Sequence, residues 1–179
     1  TQLVVNLSRF MVSWWWLMLL IAIGAAAWAS AQAGTPGAVF GGALALDRLT
    51  LFTRLGVLAL SLLTVALAGN LSRLPNPAEY VALLLFATAG FTLMAASNQL
   101  LLAFLAVELA SLSLYVLAGF DKSSPASAEG ALKYFLLGGM SAALLLFGFS
   151  LLYGLSGAIA LPEISRALLM QGPSPLLVV

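Results

Sequence analysis

The chain has 179 residues, of which 63% are hydrophobic and only 7% are charged, and its net charge is +1. A soluble domain carries roughly 25% charged residues, so this chain has too few charges to cover a solvated surface. Long continuous apolar runs indicate helices rather than the alternating strands of a barrel. We therefore predict an all-α integral membrane protein, a polytopic bundle of transmembrane helices in a lipid bilayer, with no β-sheet. The absence of a positive excess argues against nucleic acid as a partner.

Cysteine and histidine are both absent from the sequence. Their absence removes the common ligands of iron–sulfur clusters, haem and zinc. It also removes the Ser-His and Cys-His pairs used in nucleophilic catalysis. We expect no catalytic, cofactor-binding or metal-binding residues in this chain, and no turnover from the chain alone.

Five apolar runs approach the length of about 20 residues that a membrane-spanning helix needs. They form one membrane domain over 1–179, with spans at about 10–29, 51–69, 79–97, 99–120 and 127–154, and another expected to begin at 174–179. The first run is too long for a signal peptide, whose apolar part is about 7–15 residues. Its Trp14–Trp16 cluster predicts an interfacial belt.

The boundaries of these spans carry the prolines and most of the charges. All seven prolines lie outside the five complete spans, and Ser124-Pro125 predicts the cap and first residue of the fifth. Arg54 is expected to extend toward the headgroups. The excess of Lys and Arg on one side of a membrane normally predicts which way a protein is oriented in it. Here three basic residues fall on each side, so the sequence predicts no orientation: Arg9, Arg73 and Lys122 lie on one side, and Arg48, Arg54 and Arg166 lie on the other. The absent initiating Met and the apolar end predict a portion of a longer protein.

Glu108 is an isolated charge within the fourth predicted span. With a rise of about 1.5 Å per residue along a helix, Glu108 lies about 14 Å from Gln99, where the span begins, and so close to the membrane midplane. A charge there costs on the order of 3 kcal/mol on insertion scales. We therefore expect Glu108 to be protonated, paired, or alternating between these states, and alternation would be proton transport. Ser111 and Tyr115 follow at i+3 and i+7, on the face where they could hold waters or pass protons.

Lys133 is a second charge inside an apolar run, about 9 Å into the fifth predicted span. Glu129 precedes it by one turn, in the favoured order for an ion pair, and Ser141 extends the same stripe. We expect Glu108 and Lys133 to face the bundle interior, with Glu108 the deeper and without direct contact between them. Two structural alternatives remain: Glu108 only holds helices together, and Lys133 reaches outward to pair with Glu129 at the surface.

Small residues in the fifth span predict close packing against the fourth. Gly138-Gly139 with Ala142 and Ala143 gives two overlapping small-xxx-small patterns. The short connection DKSSPAS makes the two helices antiparallel neighbours.

The stretches FLAVELASLSLYVLAGF and SAEGALKYFLLGGMSAALLLFGFSLLYGLSG resemble the antiporter-like membrane subunits of respiratory complex I, the NADH:quinone oxidoreductase. The similarity is greatest to the subunit N type, called subunit 2 in mitochondria and plastids, and covers about 99–157. It implies a fold of about fourteen helices with inverted repeats. It also implies an essential Glu in the fifth helix and a Lys in the sixth, which fall on Glu108 and Lys133, with Glu129 the acid of the E-x-x-x-K pattern.

The resemblance implies a function as well as a fold. It predicts a proton-translocating, non-redox subunit of a translocase, with other membrane subunits of complex I as partners. NADH, flavin, iron–sulfur clusters and quinone are expected on partner subunits. The expected location is the bacterial inner membrane, or alternatively an organellar energy-converting membrane. A buried Lys in the family's seventh helix has no counterpart in this chain. The alternatives are a subunit of a sodium/proton antiporter and a structural membrane scaffold.

Overall fold

The computed structural model describes residues 37–67 and 76–171. In chain order it contains strands β1 (Gly37–Val39) and β2 (Leu44–Leu46), followed by five helices: α1 (Arg48–Leu67), α2 (Pro77–Ala96), α3 (Leu100–Ala118), α4 (Pro125–Ser156) and α5 (Leu161–Gln171). Helices α1 to α4 are long and apolar enough to cross a membrane. The predicted helical membrane fold is confirmed.

A short β-hairpin precedes the first described helix, so the expectation of no β-sheet was wrong. Strands β1 and β2 pair antiparallel, with Gly37 opposite Leu46. The chain reverses through Gly41 and Gly42, whose φ angles of 64° and 91° favour glycine. A turn of this kind allows two short strands to pair as a hairpin. A search for apolar runs of 20 residues does not detect such a hairpin.

The helices extend past the predicted spans at several boundaries. Helix α1 begins at Arg48 rather than at 51, and α4 covers Pro125–Ser156 rather than 127–154. Helix α5 was not predicted, because its eleven residues are too few to span a bilayer. The predicted spans at 10–29 and 174–179, and the Trp14–Trp16 belt, lie outside the described residues.

Polar side chains cap the first turns of α1 and α4. The carboxylate of Asp47 accepts a hydrogen bond from the Thr50 backbone N–H at 2.6 Å, and this bond lowers the pKa of Asp47. The Ser124 hydroxyl accepts from the Ser127 backbone N–H at 3.3 Å and Pro125 follows in the first turn, as predicted.

The four long helices pack in sequence order, α1 against α2, α2 against α3 and α3 against α4. The buried apolar residues concentrate on α1, α2 and α3: Leu58, Val65, Val81, Leu84, Ala87, Ala96, Leu100, Ala106, Ala110 and Tyr115. Helix α4 has no buried residue within the described part of the chain. Its outer surface is therefore free to contact lipid or further protein.

Three connecting segments meet at one end of the bundle. The Asn98 backbone N–H donates to Ala43 O at 2.9 Å, and its side-chain amide donates to Gly42 O at 3.1 Å. Leu161 N–H donates to Asn98 O at 3.0 Å, and Leu100 N–H donates to Ile159 O at 2.9 Å. The hairpin, the α2–α3 link and the α4–α5 link therefore lie on the same side, and the α3–α4 loop lies on the other.

Candidate functional site

Glu108 lies near the middle of α3 and is half-buried. The 19 residues of α3 extend about 28 Å at helical rise, close to the thickness of the hydrocarbon core. A helix of this length reaches from one membrane surface to the other with little excess. In a helix that crosses the bilayer, the central position of Glu108 corresponds to the membrane midplane.

The face of α3 opposite Glu108 packs against α2. A Cβ added to Gly90 of α2 would lie 2.6 Å from the backbone nitrogen of Ala110 and 2.8 Å from the Ala106 carbonyl oxygen. Ala106 and Ala110 are each two residues from Glu108, which places them about 160° around the helix from it. Glu108 is thus directed away from α2.

Tyr115 shares the Glu108 face, because seven residues are close to two helical turns. Its ring is buried against α4, where it meets Tyr134 edge-on with centroids 4.7 Å apart and Phe135 at 5.8 Å. Its hydroxyl occupies the space that a side chain on Gly138 would need. The predicted close packing of the small-residue segment against α3 thus occurs through Gly138, whereas Gly139 faces open space.

Glu129 and Lys133 form an ion pair one turn apart on α4. Their side chains are 65% and 69% exposed in the described chain. Ala131 and Gly138 mark the α4 face that contacts α3. Since Lys133 lies about 160° around the helix from Ala131, the pair is on the α4 face directed away from α3.

The register of the α3–α4 hairpin fixes the relative depths of the charges. Gly119 lies against Ala131, and Tyr115 lies against Gly138. Lys133 is therefore level with the last turn of α3, nearer the membrane surface than its position in the run predicted. Glu108 lies about ten residues, or roughly 15 Å, further along the hairpin.

The structure thus brings Glu129 and Lys133 together but leaves Glu108 apart from them. Among the described residues, Glu129–Lys133 is the one ion pair. Ser111 lies one turn after Glu108 and is half-buried, whereas Ser141 is exposed. The pairing of α3 with α4 places Ser141 at a depth along the helix pair close to that of Glu108 and not to that of Lys133. An array joining Glu108 to Lys133 requires groups from outside these two helices.

A buried polar contact between α1 and α2 was missed from the sequence. The hydroxyls of Ser61 and Thr88 are 2.7 Å apart, and Thr88 donates to Leu84 O at 2.8 Å. Since a threonine hydroxyl has one proton to donate, Ser61 is the donor to Thr88. Thr50 and Ser61 lie eleven residues apart on one stripe of α1, and this spacing could have indicated a polar seam.

A cavity of about 340 Å³ lies at the opposite end of the bundle, between the start of α2 and the α3–α4 loop. Its charged lining residues are Glu79, Asp121 and Lys122. Asp121 accepts hydrogen bonds from the Ser123 hydroxyl and backbone N–H, and these bonds lower its pKa. Across 37–67 and 76–171, no group of three acidic side chains is arranged to hold a metal ion.

Residues 97–178 match the family described as NADH:quinone oxidoreductase/Mrp antiporter, transmembrane. They include Glu108, Glu129 and Lys133, the three ionisable residues singled out from the sequence. The predicted resemblance is therefore confirmed.

Similar proteins include subunits of bacterial and archaeal enzymes. The NADH-quinone oxidoreductase subunit N 1 of Roseiflexus castenholzii is 48% identical over 124 residues, covering 69% of this chain and 23% of that protein. The F(420)H(2) dehydrogenase subunit N of Methanosarcina mazei is 42% identical over 129 residues, covering 72% of this chain and 26% of that protein. The chain thus spans about a quarter of these relatives.

Among solved structures, a chain of respiratory complex I from Thermus thermophilus has the same fold over most of this sequence. The two match with a TM-score of 0.72 and 31% identity, covering 92% of this chain and 39% of that chain.

Proposed function

We propose that this chain is part of a proton-translocating membrane subunit of an NADH:quinone oxidoreductase. Its role is to couple quinone reduction to proton pumping. Support comes from the family match over 97–178 and from relatives named as subunit N. Since this chain corresponds to about a quarter of those relatives, the activity belongs to the larger subunit within its complex.

The central position of Glu108 carries the proposal. A glutamate near the midplane of a membrane is costly when it is ionised and unpaired. It is stabilised by taking a proton or by approaching a cation, so its charge depends on the groups around it. Glu108 accepts a proton when cations withdraw and releases it when a cation returns.

The Glu129–Lys133 pair supplies a charge whose partner can change. When Lys133 leaves Glu129, its ammonium becomes available to another carboxylate. The buried Lys of the family's seventh helix is the expected direct partner of Glu108. We propose that Lys133 and that Lys exchange partners in sequence, while Ser111, Tyr115 and Ser141 hold the waters that carry protons.

The redox chemistry is proposed to take place on partner subunits. This chain has neither Cys nor His, so it lacks the usual side chains for holding iron–sulfur clusters or haem. NADH, flavin, iron–sulfur clusters and quinone would be bound elsewhere in the complex. The proposed partners are other membrane subunits of complex I, and the proposed location is the bacterial inner membrane or an organellar energy-converting membrane.

The test is Glu108→Gln in the full-length subunit of the assembled enzyme, reconstituted in proteoliposomes. Gln keeps the side-chain size but cannot exchange a proton, so proton pumping and coupled quinone reduction are expected to fall. Glu108→Asp retains the carboxylate and should retain part of the pumping. Glu163→Gln, on exposed α5, is the matched control and should behave as wild type. A Glu108→Gln enzyme that assembles and pumps at full stoichiometry would reduce Glu108 to a structural residue.

A sodium/proton antiporter is the second candidate, because the matching family description includes the Mrp antiporters. The same proteoliposomes distinguish the two functions. Proton uptake driven by NADH oxidation supports the oxidoreductase. Sodium-dependent proton exchange without NADH or quinone supports the antiporter.

A further inference from the structure

Arg54 occupies an unusual position on α1, within a stripe of buried residues directed at α2. Thr50 precedes it by one turn and Leu58 follows by one turn, and both are buried. The Thr50 hydroxyl donates to Ala95 O at 3.3 Å, and Ser61 contacts Thr88 further along the same interface. Arg54 therefore projects from the face of α1 that packs against α2.

The Nε atom of Arg54 is covered by protein and has no hydrogen-bond partner among the described residues. The side chain as a whole is half-exposed. Since Nε is covered, the exposed part of the guanidinium available to a ligand is its terminal Nη edge. An unpaired cation at membrane depth is costly, so this edge is expected to meet an anion.

No carboxylate of the described chain supplies that anion, because Glu129–Lys133 is the one ion pair among the described residues. Glu163, in the first turn of α5 at the same end of the bundle as Arg54, is exposed and forms no ion pair with Arg54. Asp47, the acid nearest in sequence, accepts the Thr50 backbone N–H at 2.6 Å at the start of α1, and it forms no ion pair with Arg54. Glu79, Asp121 and Glu129 lie near the α3–α4 loop, at the opposite end of the bundle.

With the start of α1 at the membrane surface, the Arg54 guanidinium reaches the level of the lipid phosphates. Its backbone lies six residues into α1, about 9 Å from the helix start. Long helical side chains point back toward the helix N-terminus, so the guanidinium lies closer to the membrane surface than its Cα. Leu51 and Val57, about 60° to either side of Arg54 on the same helix, are half-buried and present apolar surface suited to contact with acyl chains.

We propose that Arg54 binds the phosphate group of a membrane phospholipid, in the groove between α1 and α2. The two Nη groups can donate a pair of parallel hydrogen bonds to phosphate oxygens. The acyl chains would then lie along the exposed apolar surface of α1. Such a lipid would seal the open side of this helix pair.

The test uses the complete enzyme complex containing the full-length chain, in nanodiscs of phosphatidylglycerol and phosphatidylcholine, in phosphate-free buffer. Cryo-electron microscopy should show a lipid phosphate within hydrogen-bond distance of Arg54. Arg54→Gln should lose this density and one tightly bound phospholipid per complex, measured as phosphorus retained after detergent exchange. Arg54→Lys keeps the charge but lacks the paired donors, so it should retain the lipid less completely.

Arg48→Gln is the matched control, because Arg48 is exposed on α1 about 120° from Arg54. It should retain the phosphate density. A carboxylate of a neighbouring helix or subunit against Arg54, or water alone, would overturn the proposal. So would occupancy by 10 mM inorganic phosphate in lipid-depleted detergent, which would assign the site to the free ion. If the Arg54→Gln complex does not assemble, two measurements test the proposal. These are the lipid phosphate density in the wild-type complex and the phospholipid retained by the Arg54→Lys complex.

Discussion

The hydroxyl of Tyr115 on α3 lies where a Cβ on Gly138 of α4 would stand. Glycine at 138 is therefore required for the tyrosine ring to pack against α4, where it meets Tyr134 and Phe135 edge-on. The contact joins the two helices that carry Glu108 and Lys133. It thus sets their relative register.

Gly138→Ala is expected to destabilise the α3–α4 hairpin by about 1–3 kcal/mol, the usual cost of overpacking. Thermal unfolding of the full-length subunit would measure this effect. Gly139→Ala is the control, since the neighbouring glycine has open space around it. Combining Gly138→Ala with Tyr115→Leu should recover part of the loss. Equal stability of the Gly138→Ala and Gly139→Ala proteins would contradict the packing argument.

Gly90→Ala is expected to separate α2 from α3. The added methyl group would meet the backbone of Ala106 and Ala110, and backbone atoms cannot rotate out of the way. We expect a loss of about 1–3 kcal/mol, visible as lower thermal stability and reduced assembly of the complex. Gly56→Ala on α1 has no atom within 4 Å of the new methyl group, so it should be neutral or slightly stabilising. Wild-type behaviour of Gly90→Ala would show that the helices can part without cost.

Thr88→Val should destabilise the α1–α2 interface by about 0.6 kcal/mol, with an upper limit near 1.7 kcal/mol. Valine keeps the shape of threonine but leaves the Ser61 hydroxyl without its acceptor. Adding Ser61→Ala removes the stranded hydroxyl and should cost less than the sum of the single changes. A double-mutant cycle by thermal unfolding measures this coupling, and strict additivity would exclude a direct hydrogen bond.

Glu129→Gln is expected to separate function from stability. An exposed ion pair one turn apart on a helix contributes only about 0.3–0.5 kcal/mol, so Tm should fall by about 1–2 °C. Proton pumping by the assembled enzyme should fall clearly, because Lys133 loses the partner from which it is proposed to move. Glu163→Gln provides the comparison. Unchanged pumping in Glu129→Gln would favour the alternative in which the pair is only a surface contact.

The long helices could be predicted because each needs only a sustained apolar run, and the Ser124-Pro125 start carries its own local signal. Pairing of Glu129 with Lys133 was also predictable, since one turn of helix brings them together. The β-hairpin was missed because its pairing depends on backbone turns at Gly41 and Gly42. The shallower level of Lys133 depends on the register between two helices, and that register is set by Tyr115 filling the space left by Gly138.

The hydrogen bonds around Asn98 also determine when this end of the bundle can assemble during synthesis of the chain. Asn98 joins Ala43, made well before it, to Leu161, made well after it. Leu161 is made about 120 residues after Ala43, which takes roughly 6–24 s at translation rates of 5–20 residues per second. During that interval four helices must enter the bilayer. The hairpin must remain on one side of the membrane although the α4–α5 link has not yet been synthesised. The bundle end that holds three connections together is therefore completed only after α4 has been made.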